Sequence, residues 1–299
     1  MTRPLWSAIA ALLLLGILDS ASAAQNIHFH SLDQATVEQR LKTASKENDL
    51  REAGIEQLFT EAGCLAAQLS REPVKGEKKH FNVVCTMPGD SDRSILVTAH
   101  YDKVSSGNGV VDNWTGAALL SDLFQSLNGL PHKHRIVFIS FCCEEGGLIG
   151  SRAYVGRLTK EEAANISAVV NIDSLGLSPT KLWANKADTH LSQVLLATAQ
   201  TMNLPLSVMN VDNVGSTDSE SFEKLKVPRM TLHSVTQNTF HILHSPGDRI
   251  EAVHMNDYYD SYKLIAAFVS LLDSTLDATT STAPPDKEKG EPAGSPVKN

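Results

Sequence analysis

The sequence predicts a single-domain α/β fold with a mostly parallel, twisted sheet and helices on both faces. Short apolar segments typical of buried strands alternate with longer segments whose apolar residues recur at helical spacing. Such alternation is typical of a sheet whose parallel strands are connected by helices. No internal repeat or second domain is evident, so the whole pattern is assigned to one fold.

Each element of the fold has its own sequence signal. Two helices are predicted after Ser31, interrupted near Asn48 and ended by Gly63, and a hairpin follows. The strands predicted from apolar runs are residues 95–99, 136–143, 168–172, 206–209 and 229–232. The helices predicted from apolar stripes are residues 117–127, 148–158, 191–202, 219–225 and 256–272.

The two ends of the chain differ from the region between them. Arg3, the apolar residues 5–18 and the small residues at 21–23 are typical of a cleaved export signal. An uncleaved membrane anchor is the alternative, although the apolar run is short for one. We expect residues 1–23 to be removed, residues 24–276 to fold, and residues 277–299 to form a disordered tail. The protein is then exported, periplasmic or secreted, with no membrane attachment.

Charge and cysteine content narrow the function classes. The net charge of −8 argues against a nucleic-acid partner. No Cys-x-x-Cys pair is present, which disfavours a thiolate zinc site. Cys64 and Cys85 are symmetric about a polar turn near Gly76, so we expect them to lie opposite one another in a hairpin and form a disulfide. Cys142 and Cys143 are expected to pack in the core.

The most informative stretch is the apolar run 136–143, which ends in Glu144 and Glu145. Two acids at the end of a buried strand are costly to desolvate unless a cation meets them, and Arg152 is the nearest base in sequence. Solvated turn residues are the alternative. A bound metal is therefore a hypothesis to test against the other strand ends.

Other strand ends carry the same residue types. In open α/β sheets, sites form at the carboxyl ends of the strands. Each such residue alone is weak evidence for a metal site, but five of them at one edge of a sheet point to a metal centre. These are His100, Asp112, Glu145, Asp173 and His244.

This ligand set fits two metal ions. Imidazole and carboxylate without thiolate suit zinc, with cobalt or manganese as substitutes. Three carboxylates and a bridging hydroxide roughly balance two divalent ions. Glu144 is then left over to act as a base.

These residues carry a family resemblance. From about residue 81 to 272, the chain resembles the secreted co-catalytic di-zinc aminopeptidases, which include bacterial leucyl-type enzymes and share a clan with glutaminyl cyclases. The matching motifs are Ala99-His100-Tyr101-Asp102, Asp112-Asn113-Trp114-Thr115-Gly116, Glu144-Glu145-Gly146-Gly147-Leu148-Ile149-Gly150-Ser151, Asn171-Ile172-Asp173 and His244-Ser245-Pro246-Gly247-Asp248.

The resemblance implies a role for each residue. His100 and Asp173 would bind one zinc ion, Glu145 and His244 the other, and Asp112 would bridge them. Glu144 would be the general base, and Asp102 would orient His100. The resemblance also implies a cis peptide bond between Asp112 and Asn113. We expect a monomer that removes the N-terminal residue from peptides with a free N-terminus.

The chain departs from the family at two positions. Ser219 stands where the family commonly has His, and Leu243 precedes His244 where a Tyr is expected, which leaves the oxyanion-stabilising residue open. The substrate pocket is expected to be walled by loops near 211–216 and 234–243. The alternatives are a glutaminyl cyclase, which uses a single zinc, and a catalytically silent binding module, which would lack ligands or base. A carboxypeptidase or amidohydrolase of the same clan often carries an inserted dimerisation domain. The chain has no room for such a domain between Asp173 and His244.

Overall fold

The computed structural model describes residues 27–212 and 215–276. The predicted export signal, residues 1–23, and the predicted tail, residues 277–299, lie outside the described residues, and both remain predictions. No helix in the described ranges combines the length and the apolar character needed to cross a bilayer.

The described residues form one mixed sheet flanked by helices, as the alternation predicts. The strands are β1 (Leu69–Pro73), β2 (Phe81–Met87), β3 (Ser94–His100), β4 (Arg135–Phe141), β5 (Ile166–Ile172), β6 (Lys181–Leu182), β7 (Ser207–Val208) and β8 (Arg229–His233). The α-helices are α1 (Gln34–Leu41), α2 (Asn48–Glu61), α3 (Thr115–Leu127), α4 (Ile149–Arg157), α5 (Lys160–Ala164), α6 (Thr189–Met202) and α7 (Met255–Thr275).

The strand order in the sheet is β1-β2-β4-β3-β5-β8-β6-β7. The four central strands, β4, β3, β5 and β8, run parallel to one another, whereas β2 and β6 pair antiparallel with their inner neighbours. The carboxyl ends of the central strands therefore meet at one edge. Since a parallel strand can only be reached by a crossover, helices are required between them.

Apolar layers cover both faces of the sheet. On β3, Ile95 and Val97 join the larger cluster beneath α2, α3, α6 and α7, while Leu96 joins a smaller cluster on the other face. The smaller cluster contains Tyr154 of α4 and Phe222 of a 3₁₀ turn. This double burial explains why the central strands are apolar throughout rather than alternating.

Two local predictions about the strands were wrong. The run 136–143 ends as a strand at Phe141, because the Cys142 N–H donates to the side chain of Asn82 and Cys143 turns with φ 60°. The hairpin register also differs: Leu69, not Cys64, lies opposite Cys85. Cys64 lies before β1, and the structure nevertheless joins it to Cys85 in a disulfide with the Cα atoms 6.5 Å apart.

The two remaining cysteines match the sequence expectation. Cys142 is buried and Cys143 half-buried, and both are free thiols. They lie in the turn between β4 and the two glutamates at 144 and 145.

Candidate active site

Three neighbouring strands deliver acidic and imidazole groups to one edge of the sheet. His100 is the last residue of β3, Glu144 and Glu145 follow β4, and Asp173 follows β5 directly. In the register of β3 with β4, His100 pairs with Phe141, so these ends are level. The edge is the carboxyl end of a parallel sheet, where open α/β folds place their sites.

The segment before α3 brings Asp112 to the same edge. The peptide bond between Asp112 and Asn113 is cis, as the family resemblance implies. The Asn113 side chain donates to the Ile172 carbonyl over 2.8 Å and accepts from the N–H groups of Gly116 and Ser174. A Cβ at Gly116 would lie 2.6 Å from the Asn113 Oδ1, so only glycine fits there.

His244 comes from a late loop and adopts φ 57°, and its side chain is half-exposed. The loop is attached to the Asp112 segment by Asp248. The Asp248 carboxylate accepts from the N–H groups of Val111 over 2.6 Å and Asp112 over 3.3 Å. The late loop and the Asp112 segment are thus held in one arrangement.

Within the described residues, the ligand atoms form two groups that could each hold a metal ion. His100 Nε2 lies 3.3 Å from Asp112 Oδ1 and 3.7 Å from Asp173 Oδ1. His244 Nε2 lies 3.1 Å from Asp112 Oδ2 and 3.0 Å from Glu145 Oε2. The two carboxylate oxygens of Asp112 therefore face two different groups, which is the geometry a bridging ligand requires.

The acidic residues of this edge are poorly balanced by protein cations. Burial, together with the charge of Asp112, raises the pKa of Glu145 to about 7. Burial lowers the pKa of His100, but the charge of Glu144 and the hydrogen bonds that the imidazole donates to carboxylates outweigh burial and raise that pKa well above its usual value. The Glu145 Oε1 atom is buried without a hydrogen-bond partner among the described residues. A bound dication would offset the surplus of negative charge and give Glu145 Oε1 a partner.

Glu144 differs from Glu145 in its surroundings. It lines the cavity but belongs to neither ligand group. Burial is the main reason that the pKa of Glu144 rises to about 10. Repulsion from Asp218 and Asp173 adds to the rise, and the attraction of His100 opposes it. A buried carboxyl group that is not needed as a ligand has the environment of a general base or acid.

Asp102 makes more contacts than the sequence indicated. Its Oδ1 lies 3.5 Å from His100 Nδ1, the position of a residue that orients a metal-binding histidine. The same carboxylate also accepts the N–H groups of Glu144 over 2.9 Å and Glu145 over 3.2 Å. It therefore couples the β3 end of the site to the β4 end.

Sequence reasoning missed two polar residues of the site. The Thr217 hydroxyl donates to Asp173 Oδ2 over 2.7 Å and accepts from Asn171. Asp218 is fully buried, and burial raises the pKa of its carboxyl group to about 7. Neither residue follows an apolar strand. The signal that identified the candidate ligands, an acid or histidine at the end of an apolar run, therefore does not find them. Ser219, where the family commonly has His, is buried and hydrogen-bonded to Thr231, 2.8 Å away.

A cavity of about 390 Å³ opens onto these groups. All five candidate ligands and Glu144 line it. Its walls come from the expected loops and from two aromatic side chains, and they include Trp183, Val211, Gly215, Ser216, Val235, Phe240 and Leu243. The site therefore has an acidic floor and a largely apolar wall.

Comparison with known proteins agrees with this geometry. Residues 82–269, more than half of the chain, match the sequence profile of Peptidase family M28. The chain belongs to this family. The M28 match includes every residue assigned above to the two ligand groups and Glu144.

Named relatives of this M28 chain include aminopeptidases. Aminopeptidase YwaD of Bacillus subtilis is 26% identical over 182 residues, which cover 58% of this chain and 40% of YwaD. The chain thus spans well under two thirds of that relative's length.

Solved structures show the same fold. BSAP, a zinc aminopeptidase from Bacillus subtilis, superposes with a TM-score of 0.58 at 24% identity, covering 64% of this chain and 49% of BSAP. A glutaminyl cyclase from an Acidobacteriales bacterium superposes with a TM-score of 0.68 at 15% identity, covering 92% of this chain and 99% of the cyclase.

Proposed function

We propose that this chain is an aminopeptidase that uses two zinc ions to hydrolyse the N-terminal peptide bond of peptides. The observation that carries the proposal is the Asp112 carboxylate, whose two oxygens face separate ligand groups. Membership of family M28 and the aminopeptidase relatives support the same chemistry. The zinc content of BSAP supports the choice of metal.

The residues divide into two ligand pairs and a bridge. His100 and Asp173 would hold one ion, Glu145 and His244 would hold the other, and Asp112 would be shared. Imidazole nitrogen and carboxylate oxygen without thiolate are ligands that zinc accepts. When bound, the ions lower the pKa of water and polarise the substrate carbonyl.

The protein side chains do the remaining work. Glu144 takes a proton from the attacking water and passes it to the leaving amine. The N–H of Glu144 donates to Asp102, and this bond keeps the Glu144 carboxyl group at the carboxyl end of β4. The acidic floor attracts the positive α-amine of a peptide, and the wall formed by Trp183 and Phe240 receives an apolar side chain. Cleavage is thereby restricted to the first peptide bond.

The test is a product analysis. The zinc-loaded protein is incubated with a mixture of short peptides, one of which begins with Gln, and the products are identified by mass spectrometry. We expect single N-terminal residues to be lost, and a chelator to abolish the reaction. Loss of ammonia from the Gln peptide alone would instead show a glutaminyl cyclase, the activity of one neighbour of similar length.

Glu144→Gln separates the base from the ligands. Removing a general base costs about 10²- to 10⁴-fold in turnover. We expect kcat to fall by that factor while the zinc content stays near two ions per chain. Loss of a zinc ion in this variant would show that Glu144 and Glu145 have exchanged roles.

A further inference from the structure

The helix α2 lies outside the M28-matched region, yet its first turn contacts the metal-site loop. This loop, residues 101–109, connects His100 to the segment that carries Asp112. Asn48, the first residue of α2, donates to the Lys103 carbonyl over 2.9 Å and accepts from the Lys103 N–H over 3.0 Å. One side chain thus satisfies both backbone groups of a loop residue.

Arg51, one turn further along α2, is fully buried and makes no ion pair within the described residues. Its guanidinium donates instead to backbone carbonyls, one before α2 and three in the loop: Ser45 through Nη1 over 3.0 Å, Tyr101 through Nε, Asn108 through Nη1 over 3.2 Å, and Gly109 through Nη2 over 2.8 Å. The guanidinium carbon also lies 4.8 Å from the centre of the Trp114 ring. The fork therefore spans both ends of the loop.

The carbonyls that Arg51 holds are close to the functional groups. Tyr101 lies between His100 and Asp102, so its position determines where both side chains point. Asp102 in turn accepts the N–H groups of Glu144 and Glu145. At the other end, the Asn108 N–H donates to the Asp248 carbonyl over 2.7 Å, which connects the loop to the His244 segment.

The charge of Arg51 matches this position. Burial lowers its pKa to about 10, and Asp102, Asp248, Asp112 and Glu145 act in the opposite direction, which places the cation behind the acidic edge. Lysine cannot reproduce the contacts, because its three donors radiate from one nitrogen while the guanidinium offers a fixed planar fork.

We propose that Arg51 and Asn48 are positioning residues of the metal centre, and that the first turn of helix α2 therefore supports the active site although it lies outside the M28 match. They hold loop 101–109 so that His100, Asp102 and Asp112 are arranged for metal before it binds. The proposal rests on the proposed two-metal function.

The experiment measures metal binding in matched variants of the full chain. Arg51→Lys is paired with Arg40→Lys, since Arg40 is also buried but its side chain pairs with Asp122 and Gln125 on α3. Asn48→Ala is paired with Gln57→Ala, since the Gln57 side chain donates to Glu61 on the same helix and has no other side-chain hydrogen bond within the described residues. Folding of each variant is checked by circular dichroism. Zinc affinity is measured by competition with a chromogenic chelator, and metal geometry by the visible spectrum of the Co²⁺-loaded protein.

We expect Arg51→Lys to weaken zinc binding by about 10- to 100-fold, the range observed when a residue that orients a metal ligand is changed. Asn48→Ala removes two hydrogen bonds to the loop and should weaken zinc binding by about tenfold. Both should alter the Co²⁺ spectrum and lower kcat more than they raise KM. The two control variants should keep the spectrum and affinity of the wild type, even where their melting temperature falls.

Two results would overturn the inference, and they are distinguishable. If the wild type binds zinc but Arg51→Lys and Asn48→Ala bind it equally well with an unchanged spectrum, α2 serves only stability. If the wild type itself binds no zinc or cobalt, the two-metal function fails and the inference fails with it. If Arg51→Lys does not fold, the milder Asn48→Ala decides between these outcomes.

Discussion

Two clusters of histidine and aspartate lie at opposite edges of the same sheet. At the carboxyl edge, Asp112 lies between His100 and His244. At the other edge, just before β4, Asp273 of α7 lies between His132 and His134, at 3.3 and 3.0 Å. The same two residue types therefore occur in two settings within one molecule.

The clusters differ in how their polar atoms are satisfied. Asp273 also accepts the N–H groups of Lys133 over 3.2 Å and His134 over 2.8 Å, so its carboxylate is surrounded by protein donors. Around Asp112, by contrast, Glu144, Glu145 and Asp173 add further acids. Both clusters line a cavity, so it is the surplus of acid that distinguishes the candidate metal site from a cluster that joins two elements.

The largest effect is expected from Asp112→Asn. The amide offers one acceptor oxygen and no charge, so it cannot bridge two ions. Since a metal site supplies several kcal/mol of transition-state stabilisation, we expect kcat/KM to fall by about 10³-fold or more. The measurement is peptidase rate together with zinc content by elemental analysis. Full activity with two zinc ions would show that the Asp112 geometry is incidental.

Asp273→Asn is the counterpart at the other edge. Asn is similar in shape but loses the charge that the two histidines and two N–H groups meet, and a hydrogen bond to a charged group contributes about 1.5–3 kcal/mol. We expect the free energy of unfolding to fall by about 2–3 kcal/mol with kcat/KM unchanged once folded protein is counted. Urea unfolding and steady-state kinetics measure the two quantities. A change in zinc content would contradict the structural role of this cluster.

A smaller effect on stability is expected from a change of pH. Without metal, burial holds the pKa of Glu145 near 7 and of Glu144 near 10, while the hydrogen bond to Asp112 raises that of His244 to about 9. All three folded-state values exceed the unfolded ones, so each group stabilises the fold at low pH and loses that contribution as pH rises. Metal-free protein should therefore lose stability between pH 6 and pH 9.

Zinc should reverse this trend, because ligands bind metal in their deprotonated forms. We expect the melting temperature of the chelated protein to fall by at least about 3 °C over this range, given that 1 kcal/mol corresponds to roughly 2–4 °C in a domain of this size. Differential scanning fluorimetry with and without zinc measures it. Asp273 acts in the opposite direction and only at low pH, since its histidine partners lower its pKa against the effect of burial. Equal slopes with and without zinc would contradict the metal assignment.

Much of the fold and of the candidate site could be predicted from the sequence because the signals are local. An apolar run that ends in His100 or Asp173 identifies both a buried strand and the edge at which its last side chain emerges. The register of the β1–β2 hairpin was not predicted correctly, because the observed pairing is centred on residue 77, whereas a pairing of Cys64 with Cys85 needs a centre between residues 74 and 75. Cys64 reaches Cys85 from outside the strand.

The residue pattern alone was enough to predict the types of candidate ligand, their order along the chain and the edge of the sheet at which they lie. These properties follow from hydrophobic periodicity and from where each apolar run stops. The folded structure was needed to show that Arg51 donates hydrogen bonds to the carbonyls of a loop some fifty residues away, and that Asp102 accepts the N–H of Glu144. Such contacts join residues distant in sequence through hydrogen bonds to backbone, and a backbone group leaves no mark in the residue pattern.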